Sequence, residues 1–189
     1  MDKITIRDKE ANVANQWQDL TVEQYIDITQ LYEQTTETIE EDFLINFLLI
    51  ITDLDKDFIE TLYEDELEPF VETIKKFDMK EFKGVKVDHF ILNDQIYSYK
   101  QASKLTLGEK VSLKLLEKKS TTQTETWLNI LSIMIRPAKV NKNEFGEDIY
   151  IVEPFDGDIE TLEKRKELIK KIKAINAFYI VEGFIDGRE

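Results

Sequence analysis

Leu20-Thr21-Val22-Glu23-Gln24 and Leu105-Thr106-Leu107-Gly108-Glu109 carry the same signature 85 residues apart. In each, a threonine precedes an apolar-periodic run and a Gln or Glu follows three residues later. This is the spacing of a capping box, in which the two side chains reciprocally satisfy backbone donors at a helix start. At the first copy Leu20 and Tyr25 hold the two positions of a hydrophobic staple, and Tyr25, Ile28, Leu31 and Tyr32 continue one helical face. The second opens a helix through Val111, Leu113, Leu115 and Leu116.

Each capped helix is followed, after a polar connector, by a segment apolar on nearly every side. Phe43-Leu44-Ile45-Asn46-Phe47-Leu48 and Trp127-Leu128-Asn129-Ile130-Leu131-Ser132 stand 84 residues apart. The pattern predicts helices over 37–51 and 125–135, the first a central core helix, the second stopped by Arg136-Pro137. The near-constant spacing suggests a duplicated helical hairpin. The expected fold is therefore mainly α with a small β-hairpin: a helical bundle of two pseudo-repeated helical hairpins. It comprises an acidic helical subdomain, 1–78, and a hairpin-plus-helix subdomain, 79–189, in one compact unit.

The remaining segments fill in around these pairs. Residues 3–7 alternate polar and apolar as a short strand does. Asp55 or Asp57 is placed to cap a short helix holding Phe58, Ile59 and Leu62, and Pro69 to begin another through Phe70, Val71, Ile74 and Phe77. Residues 85–92 and 96–99 flank Asn93-Asp94-Gln95 as the arms of a β-hairpin. Residues 138–157, with Gly146, Pro154 and Gly157, read as a long loop with one strand at 149–152. Asp158 then caps a last helix running through Leu162, Leu168, Ile169, Ile172 and Ile175 towards Phe178, Tyr179, Val181 and Phe184.

Composition narrows the function classes. The chain has 189 residues, 42% hydrophobic and 34% charged, within the globular range. It lacks cysteine, which removes disulfides, thiolate metal sites and cysteine nucleophiles. No signal-peptide pattern or membrane-length apolar stretch is present, so a cytosolic protein is expected. The net charge of −14 is uneven: residues 1–78 hold 21 acidic and 6 basic residues, residues 79–189 hold 18 and 19. Such a field disfavours nucleic acid and anionic membranes and steers basic protein surfaces. An acidic solvated face that maintains solubility is the more general reading, since charge excess speaks to solubility before function.

Sites of chemistry are sparse. Asp53, Asp55, Asp57 and Glu64 fall at calcium-loop spacing, but Phe58 occupies the position where such a loop needs glycine for its turn, so they read as caps and first-turn acids. Asp156, Asp158 and Glu160 read the same way. His89, the one histidine, lies in an expected strand without a nucleophile signature. The six glycines form no phosphate cradle. Lys114 to Lys119 and Lys164 to Lys173 interleave with glutamates, as paired charges on exposed helices do. Trp17 and Trp127 are expected as core anchors. No catalytic residue, metal or cofactor is expected.

The stretches 17–25, 104–109 and 127–131, together with Ile135-Arg136-Pro137, resemble small phage morphogenesis proteins: tail assembly chaperones and virion neck or tail components of Bacteroides and crAss-like phages. The likeness spans roughly residues 15–137. It implies a non-enzymatic protein that binds other phage structural proteins, as a chaperone in the host cytoplasm or as part of the virion, with a ring or other homo-oligomer as one arrangement. The expected partner-binding residues are Glu40, Glu41 and Asp42 in the acidic half, Tyr150 and Phe155 in the loop, and Phe184 near the end. A host-directed acidic inhibitor mimicking nucleic acid is the alternative, and a hydrolase built on His89 a third class.

Overall fold

Both threonine signatures cap helices in the computed structural model, which describes residues 2–34, 41–74 and 84–186. Gln24 N–H donates to Thr21 Oγ1 at 3.2 Å, and Thr21 N–H donates to Gln24 Oε1 at 3.0 Å. Glu109 N–H donates to Thr106 Oγ1 at 3.3 Å, and Thr106 N–H donates back to Glu109 Oε2. These caps open α1 (Val22–Gln34) and α5 (Leu107–Lys119), 13 residues each.

The bundle expected from helical periodicity is not the fold. The chain is mixed α/β, 54% helical and 20% strand, with a two-stranded and a four-stranded antiparallel sheet. It divides into two compact units, Met1–Phe82 and Lys83–Glu189.

In the first unit, β1 (Asp2–Ile6) and β2 (Lys9–Val13) form a hairpin that buries Ile6, Ala11 and Val13. A 3-10 turn at Trp17–Asp19 leads into α1, and α2 (Glu41–Ile51) packs against α1. Leu20, Ile28, Phe47, Leu48 and Ile51 are fully buried between them, and Phe43 stacks on Phe47 at 5.9 Å. The predicted start of this second helix at 37–40 lies outside the described residues. Asp55 caps α3 (Lys56–Ile59), accepting from Phe58 N–H at 2.8 Å. The next helix, α4 (Glu64–Ile74), begins ahead of Pro69, because Glu64, Asp65 and Glu66 supply its first turn and Glu66 accepts from Tyr63 N–H at 2.9 Å.

The second unit opens on β3 (Phe90–Leu92) and β4 (Gln95–Tyr99), joined by Asn93 and Asp94, both at positive φ as a type I′ turn requires. A 3-10 turn at Ala102–Lys104 precedes α5. Then comes α6 (Gln123–Met134), with Ile130, Leu131, Ile133 and Met134 buried, packing on α5, on α7 (Ile159–Ile169) and on α8 (Ala174–Asp186). Trp127 meets Phe178 edge-on at 4.8 Å. Asp158 caps α7, accepting from Thr161 N–H at 2.8 Å, but the single last helix expected beyond it is two, broken at residues 170–173.

Arg136-Pro137 ends α6 as expected, and the strand expected at 149–152 is present, but residues 138–142 are strand rather than loop. β5 (Ile135–Lys142) starts without a connector and β6 (Asp148–Val152) returns beside it. Residues 135–137 pair with β4 and residues 138–142 pair with β6, so Pro137, which has no N–H to donate, sits where the strand changes partners. The sheet order is β3-β4-β5-β6. It curls enough that His89, just before one edge strand, stacks on Tyr150 of the other at 4.4 Å.

The two units share an order of elements that extends beyond a helical hairpin. Each unit runs hairpin, 3-10 turn, capped helix, apolar helix, then a return to the hairpin's second strand. In the first unit Ala14 N–H donates to Ile51 O at 2.8 Å and Val13 bridges Thr52; in the second Lys100 N–H donates to Met134 O at 3.0 Å and Tyr99 pairs with Ile135. The return stops after one bridge in the first unit and becomes the eight-residue β5 in the second.

Candidate functional site

The curled sheet of the second unit and the start of α5 line an open cavity of about 740 Å³. At its base lies Glu109, only 1% exposed, brought there by its role as the third residue of α5. Its carboxylate accepts from Lys100 Nζ at 2.8 and 3.1 Å, from Thr106 N–H, and from Arg136 Nη2 at 2.7 Å. Burial pushes the Glu109 carboxyl up, but the donors from Lys100, Thr106 and Arg136 outweigh it and hold the pKa at about 2. The group is a permanent anion at neutral pH. Arg136, 2% exposed and projecting from β5, keeps a buried Nε–H that meets no acceptor among the described residues. Ser98 stands opposite it on β4 and donates to Asp88 O at 2.7 Å.

The walls are aromatic. Tyr150 and Phe155 are half-buried there with Tyr99, and the Phe155 ring centroid lies 5.9 Å from the Arg136 guanidinium carbon. Behind Arg136, a second buried arginine, Arg165 of α7, reaches Asp156 at 3.5 Å. Burial lowers the Arg165 pKa, Asp156 opposes that and the nearby Arg136 reinforces it. Asp88, Asp148 and Glu153 are exposed at the rim with Lys86 and Lys104, and Asp148 is ion-paired to Lys142 at 2.6 Å.

The chain matches no family model, no curated protein and no solved structure.

Of the residues expected from sequence to bind partners, Tyr150 and Phe155 come together in this cavity. Phe184 is half-buried on α8 and is not among the cavity-lining residues. Asp42 is exposed near the start of α2 in the other unit, Glu41 begins that helix, and Glu40 lies outside the described residues. The acids at calcium-loop spacing have other occupations: Asp53 accepts from the side chain and N–H of Asn12, and Asp55 caps α3 and pairs with Lys9. Among the described residues no group of three or more His, Asp or Glu side chains is placed to hold a metal. Nor is any described helix long and apolar enough to cross a membrane.

Glu109, Arg136 and Lys100 are not visible as a site in the sequence. Glu109 reads as a cap and Arg136 as part of a helix stop, and both readings are correct locally. Only the pairing of β4 with β5 places them together.

Proposed function

We propose that the protein is a non-enzymatic phage assembly protein that docks other virion proteins through the β5–β6 hairpin. The phage setting rests on the motif resemblance across residues 15–137. The docking rests on one observation: beyond Pro137 this hairpin is an arm with an unpaired outer edge and apolar groups in solvent. Residues 138–142 of β5 pair only with β6, whose other edge carries no strand among the described residues. The tip turns through Gly146 at φ +79°, leaving the neighbouring Phe145 79% exposed. Val140 projects from one face of the arm, and Ile149 and Ile151 from the other, all exposed.

Isolated exposed apolar residues are ordinary, but several on one free-edged hairpin form a template for strand addition or side-chain docking. The arm's chemistry fits an extended apolar segment of a virion protein, or the same arm of a second copy in a ring.

A photo-crosslinking residue at Phe145 should yield adducts with virion structural proteins in phage-infected cells. The double variant Ile149→Ser/Ile151→Ser should fold within about 0.5 kcal/mol of wild type, as exposed positions do, yet lose those adducts and lower particle yield. Full particle yield from that variant would reject the reading. Mass spectrometry of purified particles then separates a permanent component, present stoichiometrically, from a chaperone that leaves.

A further inference from the structure

The two units provide an internal comparison for the buried charges of the cavity. Gln24 stands where Glu109 stands, each the third residue of its capped helix. Ala14 stands where Lys100 stands, each donating its backbone N–H to the last residue of the apolar helix. One residue past the return bridge, Asp53 occupies the place of Arg136, and it is exposed and bonded to Asn12 rather than buried. The scaffold therefore closes without a buried ion network. Burying ions costs several kcal/mol per group before pairing repays it, on the order of what a small domain has in total. The scaffold itself does not call for the network of the second unit, which leaves its charges open to a ligand.

The charge balance of the network shows which kind of ligand. The inner layer holds Arg136 and Lys100 against Glu109 alone, with Arg165 behind them weakly served by Asp156. One Arg136 N–H meets no acceptor among the described residues. The other carboxylates, Asp88, Asp148 and Glu153, sit at the solvated rim together with Lys86 and Lys104. Arg136 and Lys100 against Glu109 leave an excess of one positive charge, which matches a singly charged anion, and the rim, with three carboxylates against Lys86 and Lys104, offers a second negative charge no net cation. The aromatic walls suit a flat or apolar body, and the volume lies within the usual range for small-ligand pockets, roughly 300–1,000 Å³.

We infer that this cavity binds a single carboxylate carried on an apolar, uncharged body, with the carboxylate at Lys100 and Arg136 and the body between Tyr150 and Phe155. The chemistry is the same whether the carboxylate belongs to a free small molecule or to the end of a polypeptide. The cavity uses Tyr150 on the inner face of β6, whereas the assembly reading uses the free edge and tip of the arm with Phe145 and Ile151; the two adjoin at Ile149, which also borders the cavity.

The test is a titration of the isotope-labelled full chain, followed by amide chemical shifts, with N-acetylphenylalanine, N-acetylphenylalanine amide and phenyl phosphate. The acid should shift the amides of Ser98, Tyr150 and Glu153, and the amide should not. Phenyl phosphate, doubly charged, should bind at least tenfold more weakly. Arg136→Met risks misfolding, so Lys100→Met is the decisive variant: Glu109 keeps Arg136 and the Thr106 N–H, the fold is retained, and affinity for the acid should drop at least tenfold. Equal binding of acid and amide, tighter binding of the phosphate, or no shift at cavity amides with the acid would each overturn the inference. Acetyl-Ala-Ala-Phe binding tenfold more tightly than N-acetylphenylalanine assigns the carboxylate to a polypeptide end, and equal or weaker binding assigns it to a small molecule.

Discussion

Gly84→Ala should be among the most damaging single substitutions in the second unit, lowering stability by about 3 kcal/mol and the melting temperature by on the order of 10–20 °C. A Cβ added at Gly84 would lie 2.3 Å from Tyr179 N and 2.4 Å from Tyr179 Cα. Those are backbone atoms in the middle of α8, which a rotamer change cannot move. The neighbouring Val85 N–H donates to Ile175 O at 3.0 Å, so the segment is tied to the same helix and cannot simply swing away. Relief requires shifting α8, whose Ala177, Ile180 and Val181 are buried. Gly108 serves as the control, because nothing lies within 4 Å of its added Cβ and it sits in the first turn of α5. Gly108→Ala should be neutral or slightly stabilising, by up to about 1 kcal/mol. Differential scanning calorimetry of the two variants decides it: equal melting temperatures would show that the close approach carries no constraint.

That contrast marks what a sequence discloses. Local rules hold where the controlling groups are neighbours in sequence: the caps at Thr21, Thr106, Asp55 and Asp158 form as their spacing predicts. They fail where pairing is non-local. Lys9–Val13 has no strong strand pattern, yet pairs throughout with β1 because the hairpin buries Ala11 and Val13. The strand at 149–152 is legible in the sequence, but residues 138–142 are not, and they are strand because β4 and β6 offer β5 a template. The bundle expectation arises from this asymmetry: helical periodicity can be read within one segment, whereas a strand with one polar face needs its neighbour to be recognised. The candidate site falls in the same gap. Tyr150 and Phe155 stand out in the sequence as aromatics of an expected loop, but the ionic base beneath them joins residues 100, 109 and 136, which share no motif. The repeated order of capped and apolar helices is the one long-range feature legible in the sequence, and its strand component emerges only with the register.

Glu109→Gln should destabilise the second unit by about 3 kcal/mol at pH 7, the low end of the cost of breaking a buried ion pair. Glutamine at this helix position is compatible with the scaffold, since Gln24 makes the equivalent cap in the first unit. What is lost is charge: Arg136 remains 98% buried against a neutral amide, and Lys100 loses its carboxylate. The pH dependence has a defined sign. The Glu109 pKa is lowered from 4.5 to about 2 on folding, so the unfolded chain takes up this proton first as pH falls. The stabilisation is complete above about pH 5 and disappears progressively down to about pH 2, amounting to about 3 kcal/mol by linkage. Wild type and variant should therefore differ most at neutral pH in urea denaturation and converge as pH approaches 2. The Glu66 carboxyl, held at about 2 by Arg7, leaves a slope in the same window that both proteins share. Adding Arg136→Met to Glu109→Gln should recover part of the loss, because the unpaired guanidinium is then gone. Parallel stability curves for wild type and Glu109→Gln across this window would mean that the carboxylate does not hold the cavity base together.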